Sequence, residues 1–90
     1  MKKTLLSKEE LALYKKHLEG WEIEDKCLKK ELNFDSFIEA FSFMTKIALI
    51  SESMNHHPEW RNVYGHISIQ LTTHESGGIT ELDFKLAKSI

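Results

Sequence analysis

The chain has 90 residues, which is enough for one domain and too short for two. Its hydrophobic fraction is 41% and its charged fraction 29%, and the formal charge of -2 excludes a strong general attraction to nucleic acid or an anionic membrane. A single cysteine excludes an internal disulfide, and no apolar run approaches the ~20 residues of a membrane span. We therefore expect one cytoplasmic domain over residues 1–90, with residues 1–6 as a flexible tail.

The N-terminal part predicts a helix followed by a β-hairpin. Ser7 begins a capping-box pattern, so a helix is predicted over about residues 8–18. Apolar and polar residues then alternate over 21–24 and 27–34, which indicates two strands that turn near Asp25.

A second, longer helix is predicted from a cap at Asp35 to about Met54. Its apolar residues form two stripes at helical spacing, and only one of them can face the sheet. The first stripe contains Phe37, Phe41, Met44 and Ala48. The second contains Phe43, Ile47, Ile50 and Met54. In our interpretation the second stripe has no partner within the chain, so it is predicted to pack against another copy.

The remaining chain predicts a broken helix end, a second hairpin and a last helix. The residue before Pro58 avoids helical geometry, so the second helix stops there. Strands are predicted over 62–64 and 67–73, and Thr80 with Asp83 has the spacing of another capping box. This order predicts an α+β domain, a four-stranded antiparallel sheet with three helices packed on one face.

Histidines and carboxylates supply the candidate chemistry. Glu52 lies four residues before His56, the separation at which a helix brings side chains together, although Glu52 can also simply reach solvent. The pair His56-His57 sits on a loop stiffened by Pro58, whereas isolated loop histidines are more often ordinary surface residues. Trp60 offers a flat apolar wall for an aromatic ligand.

Two further residues have both a site interpretation and a plain structural one. His74 ends an amphipathic strand before a glycine-rich loop, which is a common place for site residues and for idle polar ones. Asp83 can serve the site or simply close its capping box. A metal site is the weaker interpretation, because adjacent histidines point in different directions and the helical pair His-x-x-x-His is absent from the sequence.

Taken together, these residues resemble a known family. The run Glu52-x3-His56-His57-Pro58, then Tyr64, His74 and Asp83 at fixed spacings, is similar to the pattern of the pterin-4a-carbinolamine dehydratases. The segments around Trp60, Val63 and Thr72 and the chain from Trp21 onward also resemble that family. Asn55 and Leu82 depart from it, since some relatives carry Asp and Arg there.

The resemblance implies a lyase that dehydrates 4a-hydroxytetrahydropterin to quinonoid dihydropterin and water, recycling the pterin cofactor of aromatic amino acid hydroxylases. It implies no metal and no organic cofactor. It also implies a homodimer or homotetramer assembled through the second helix and the sheet edges. Neither nucleic acid nor a membrane is expected to bind directly.

The resemblance also implies a set of site residues. Proton transfer is assigned to His56 and His74, while His57 binds and orients the pterin. Glu52 is expected to support His56, and Asp83 the far side of the site. The predicted substrate contacts are Asn55, Pro58, Trp60, Thr72, Thr73 and Glu75. Histidine suits this chemistry because its unperturbed pKa, near 6.5, allows it to act as acid or base at neutral pH.

Two other function classes stay open. One is an interaction protein that helps a transcription factor to dimerise, since some animal members of the family do so. The other is a metal-binding protein. Three retained histidines favour the enzyme, because an adaptor would not need them.

Overall fold

A computed structural model describes residues 3–90 as one antiparallel sheet covered by helices. In chain order the elements are α1 Lys8–Lys15, β1 Glu22–Glu24, β2 Cys27–Asn33, α2 Phe37–Met54, β3 Glu59–Val63, β4 His66–Leu71, a 3₁₀ turn His74–Ser76, and α3 Glu81–Ala87. The strand order is β1-β2-β4-β3, so β2 and β4 are central. These elements confirm the predicted α+β class, with four antiparallel strands and three helices.

The two faces of the sheet differ in polarity because side chains alternate along each strand. On β4, Ile67, Ile69 and Leu71 are buried under the helices, while the residues between them are polar and partly exposed. The core therefore lies between one sheet face and the helices, and the opposite face carries polar and charged side chains.

Both hairpins turn where the backbone takes positive φ. Asp25 and Lys26 have φ of 52° and 63°, which suits the tight turn predicted near Asp25. At the second hairpin Tyr64 has φ of 52°, and a Cβ on Gly65 would lie 2.2 Å from the carbonyl oxygen of Phe34. Glycine is therefore required at position 65 by close approach of the backbone.

The first helix begins as predicted and ends early. Ser7 caps it and Glu10 completes the capping box. The helix ends at Lys15 instead of continuing to residue 18, because the N–H of Leu18 bonds to the carbonyl of Lys15 in a tighter turn. This turn brings Leu18 into the core.

The second helix corrects two predictions. Its N-cap is Ser36 and not Asp35, since the Ser36 hydroxyl accepts a hydrogen bond from the N–H of Glu39. The stripe expected to be free, which includes Ile47, faces the sheet: Ile47 is 0% exposed. The free face instead carries a row that we call the exposed α2 row: Phe37, Ile38, Phe41 and Leu49.

The predicted N-terminal tail falls partly on residues 1 and 2, which lie outside the described residues. At its other end the N–H of Leu6 donates to the carbonyl of Ile79, so this part of the segment is attached to the domain. The assignment of residues 1–90 to a single domain with a tail stays a prediction. Over residues 3–90 no helix is long and apolar enough to cross a membrane.

Candidate active site

The candidate site forms where the end of α2 meets the end of β4. Asn55 adopts a left-handed conformation with φ of 52°, which ends α2 and redirects the chain. The N–H of His56 then bonds back to the carbonyl of Ser51 at 3.0 Å, so the histidine pair is held against the helix end.

The register of the second hairpin explains why His74 is near the other two histidines. Glu59 pairs with Gln70 in the β3–β4 ladder. Continuing that register past the strand ends places residues 56 and 57 beside residues 72–74. The hairpin therefore folds the two histidine-bearing segments onto one end of the sheet.

His56 is the most buried of the three histidines and pairs with a fully buried carboxylate. Its side chain is 9% exposed, and its Nε2 lies 2.6 Å from Oδ1 of Asp83, which is 0% exposed. The other oxygen of Asp83 accepts from the Thr73 hydroxyl at 2.8 Å and from the N–H of Thr80 at 2.9 Å. A buried carboxylate is costly unless it is paired, and here both of its oxygens are engaged.

Hydroxyl orientation in this network follows from donor counting. A carboxylate that is ionised can only accept, so the single Thr73 hydroxyl hydrogen is used on Asp83. The Thr80 hydroxyl, 2.8 Å from that of Thr73, must therefore donate to it. Asp83 thus serves both as capping residue of α3, as predicted, and as the partner of His56.

The partner predicted for His56 was wrong. Glu52 lies 2.7 Å from Nε2 of His57, and not beside His56. The i, i+4 argument assumed a continuing helix, but the left-handed turn at Asn55 carries His56 inward toward α3 and leaves His57 over the helix end. The pair of Glu52 and His57 is largely solvent-exposed.

His74 has a carboxylate partner that was not predicted from the sequence. Its Nε2 bonds to Oε1 of Glu59, whose second oxygen accepts from the Gln70 side-chain amide at 3.2 Å. The sequence signal was available, because a hairpin turning at Tyr64-Gly65 brings the start of β3 toward the end of β4.

The three histidines share one orientation. Each uses Nε2 toward its carboxylate, and within residues 3–90 no Nδ1 of the three has a hydrogen-bond partner. In the described part of the chain the one fully buried, unpartnered side-chain polar atom is the Ser51 hydroxyl, so Nδ1 of His56 is not completely buried. A neutral imidazole in this arrangement presents an unprotonated Nδ1.

A cleft of about 200 Å³ brings most of the predicted site residues together. Its lining comprises Asn55, His56, His57, Thr72, Thr73, His74 and Glu75. Pro58 and Trp60 do not line it, and Trp60 instead packs against the core from β3. A flat apolar wall from Trp60 is therefore not part of this cleft.

Side chains around the cleft already have protein partners. The Thr72 hydroxyl donates to the carbonyl of Lys26, and the carboxylate of Glu75 pairs with Lys3 at 3.0 Å. Among residues 3–90 no group of three or more His, Cys, Asp or Glu side chains is arranged to hold a metal ion. What the site offers is three imidazoles, each held by one carboxylate, around one small polar cleft.

Comparison with known proteins shows the family of the chain. A family model described as pterin 4 alpha carbinolamine dehydratase matches residues 4–90. Two proteins from different strains of Prochlorococcus marinus are 54% and 57% identical over all of this chain and 94% of their own length. Both carry the name pterin-4-alpha-carbinolamine dehydratase provisionally.

A solved structure is similar along nearly the whole fold. The crystal structure of a transcriptional coactivator/pterin dehydratase from Brucella melitensis matches with a TM-score of 0.90 and 37% identity, over 93% of this chain and 92% of that one. Full-length matches in sequence and fold, around a cleft that holds the three histidines, place the chain in the pterin 4 alpha carbinolamine dehydratase family.

Proposed function

We propose that this chain dehydrates a 4a-hydroxytetrahydropterin to the quinonoid dihydropterin and water. The family supports the reaction, and the observation that carries the mechanism is the set of three carboxylate-paired histidines around one cleft. Recycling of the pterin cofactor of aromatic amino acid hydroxylases is the role that such a reaction would serve.

The reaction needs one proton delivered and one removed. The C4a–O bond breaks as an acid protonates the leaving hydroxyl, which departs as water. A base takes the N5 proton, and the N5 electrons form the new C4a–N5 double bond. Each positioned proton transfer is typically worth about 10²- to 10⁴-fold in rate. The reaction is redox-neutral, so it needs no oxidant or reductant.

Roles follow from burial and from partners. His56 and His74 are assigned to proton transfer, with Nδ1 as the reacting nitrogen of each. Asp83 orients the imidazole of His56 and fixes its tautomer. His57, held by Glu52 and more exposed than His56, is assigned to binding and orienting the pterin. Asn55 and the residues from Thr72 to Glu75 border the same cleft and are assigned to its polar edge.

The test is a dehydration assay on freshly generated 4a-hydroxytetrahydropterin with metal-stripped protein. We expect His56→Ala and His74→Ala to lower kcat, and His57→Ala mainly to raise KM, because a lost transition-state interaction appears in kcat. Full kcat in both of the first two variants would contradict the assignment. Loss of activity on chelation and its return with zinc would contradict the metal-free mechanism.

We also propose that the chain assembles with copies of itself through the exposed α2 row. Its large apolar side chains include Ile38 and Leu49, which are 75% and 70% exposed. Soluble monomers rarely leave such a row uncovered. A homodimer or homotetramer through α2 would cover it, and the sheet edges β1 and β3 offer a second contact.

An interaction role is the second candidate. The observation that favours it is the same exposed row, together with the coactivator name of the Brucella melitensis protein. One variant distinguishes the two candidate functions. A protein that lacks His56 and His74 should lose dehydratase activity but still bind a partner that contacts α2.

A further inference from the structure

We propose that Glu59, held by Gln70, is a positioning residue for His74, an inference that rests on the proposed dehydration. Glu59 is the first residue of β3 and faces Gln70 directly across the β3–β4 ladder. One carboxylate oxygen bonds to Nε2 of His74 and the other accepts from Gln70. Glu59 does not line the cleft, so it acts on the substrate only through the imidazole.

The contact fixes which nitrogen of His74 carries the proton. An ionised carboxylate has no hydrogen to donate, so Nε2 of His74 must be the donor. In neutral His74 the lone pair then lies on Nδ1, the nitrogen left for the substrate. In the opposite tautomer Nδ1 would already carry a hydrogen, so it could not accept the proton of the substrate.

The role of this contact is orientation, and not stability of the fold. His74 and Glu59 side chains are 77% and 49% exposed, and ion pairs in such positions contribute little to folding. His74, however, begins a short 3₁₀ turn, whereas Glu59 and Gln70 belong to paired strands. Through Glu59, the sheet therefore restricts rotation of the exposed imidazole ring of His74.

The same arrangement recurs at the other two histidines. Asp83 engages Nε2 of His56, and Glu52 engages Nε2 of His57. Carboxylates that orient a metal-bound imidazole commonly change activity about 10- to 100-fold when they are removed, and we take that range as a guide for these metal-free pairs. With Glu59 included, a carboxylate fixes the tautomer of each of the three histidines of the cleft.

The first experiment is ¹⁵N NMR of the histidine side chains in wild type, Glu59→Gln and Glu22→Gln, the last being a matched control on the exposed edge strand β1. We expect neutral His74 of wild type and of the control to carry its proton on Nε2. In Glu59→Gln the two tautomers should mix. A wild-type Nδ1–H tautomer, or unchanged populations in Glu59→Gln, would overturn the proposal even if the protein had no dehydratase activity.

The second experiment measures kinetics in a double-mutant cycle. Glu59→Gln should lower kcat about tenfold, with KM changed less than twofold and with the melting temperature of wild type. In a His74→Ala background the same change should have no further effect, because its influence passes through His74. Additive losses, or a full kcat in Glu59→Gln, would show that Glu59 does not position His74. Absence of activity in wild type would instead refute the proposed function, leaving the NMR result to decide on Glu59.

Discussion

At the scale of single residues, Asp83 joins two tasks that are usually separate. Its carboxylate closes the cap of α3 and also receives Nε2 of the buried His56. The buried Asp83 carboxylate is tolerated only because it is hydrogen-bonded, since an uncompensated buried carboxylate is strongly unfavourable. Catalysis and folding of the last helix are therefore tied to one side chain.

Asp83→Asn should separate these two tasks. The amide oxygen can still accept from the N–H of Thr80, so the cap is largely kept. The negative charge beside His56 is lost, and the amide can donate to Nε2 and favour the other tautomer. We expect kcat to fall about 10- to 100-fold, as measured by steady-state kinetics.

Thr80→Ala is the control for that experiment. It removes the N-cap hydroxyl and should cost about 0.5–2 kcal/mol in the free energy of unfolding, while the carboxylate beside His56 stays in place. Denaturant unfolding and kinetics on both variants would decide. A larger loss of kcat in Thr80→Ala than in Asp83→Asn would contradict the role given to Asp83.

A second residue-scale prediction concerns the polar face of the sheet. Hydrogen bonds from the Ser68 hydroxyl and then from His66 hold the pKa of Glu31 below its usual range. A lowered carboxyl pKa stabilises the folded state above the unfolded-state pKa, and this stabilisation is lost as pH falls through the folded-state pKa.

Ser68→Ala should therefore raise the pKa of Glu31 toward the usual range. The stability difference from wild type should be present at neutral pH and shrink on acidification below the pKa of Glu31. Carboxyl ¹³C NMR titration gives the pKa, and unfolding at several pH values gives the stability. Ser53→Ala, which changes an exposed hydroxyl on α2, is the control and should leave Glu31 unaffected.

The residue-scale predictions that depend on local spacing were confirmed at α1 and α3, although the N-cap of α2 is Ser36 and not Asp35, and the one that assumed an uninterrupted helix failed where the chain changed direction. The capping box of Thr80 and Asp83 was predicted because it needs only three residues of spacing. The pairing of Glu52 with His56 was wrong because spacing does not reveal a left-handed turn at Asn55. The three site histidines do gather at one cleft, and their roles stay a prediction.

At the scale of elements, α2 shows why spacing alone could not tell which of its two apolar stripes faces the sheet. Ala40, Ile47 and Ser51 are its fully buried residues, and two of them are small. Small side chains allow the helix backbone to lie close to the sheet, so the face with the largest residues is not the one that faces the core. A hydrophobicity pattern records the large residues and misses this preference.

Ile47→Asp tests the orientation of α2 found in the structure. A charge at this position would enter the protomer core and should prevent folding, and not merely split an assembly. Even Ile47→Ala should cost about 2–5 kcal/mol. Circular dichroism and denaturant unfolding would measure this, and a folded, dissociated Ile47→Asp protein would contradict the orientation of α2.

Phe41→Asp tests the exposed α2 row directly. Phe41 is 55% exposed in the isolated chain, so the charge should be tolerated by the protomer and disrupt self-association. Sedimentation at micromolar concentration should give an oligomer for wild type and smaller species for the variant. A monomeric wild type, or an unchanged mass for folded Phe41→Asp, would contradict assembly through this row.

At the scale of the whole molecule, the class of fold could be predicted but the strand order could not. Alternation and capping patterns indicated four strands and three helices in the right sequence. They carry no information on which strands lie at the centre, and it is the β2–β4 pairing that closes the sheet. Glu59 was missed for a different reason: the strand was predicted to begin at residue 62, whereas β3 begins at Glu59.

That central pairing also joins segments that are far apart in the chain. Asn33 of β2 pairs with His66 of β4, so the whole of α2 and β3 lies in the loop between them. Closing a loop of this length costs entropy before any contact repays it, and topologies rich in such contacts fold slowly. β3 and β4 also lie in the chain between His56 and Asp83, so the second hairpin is what brings these two side chains together. A chain interrupted at Asn55 would have its two central strands on different fragments, so neither fragment alone could assemble the sheet beneath the cleft.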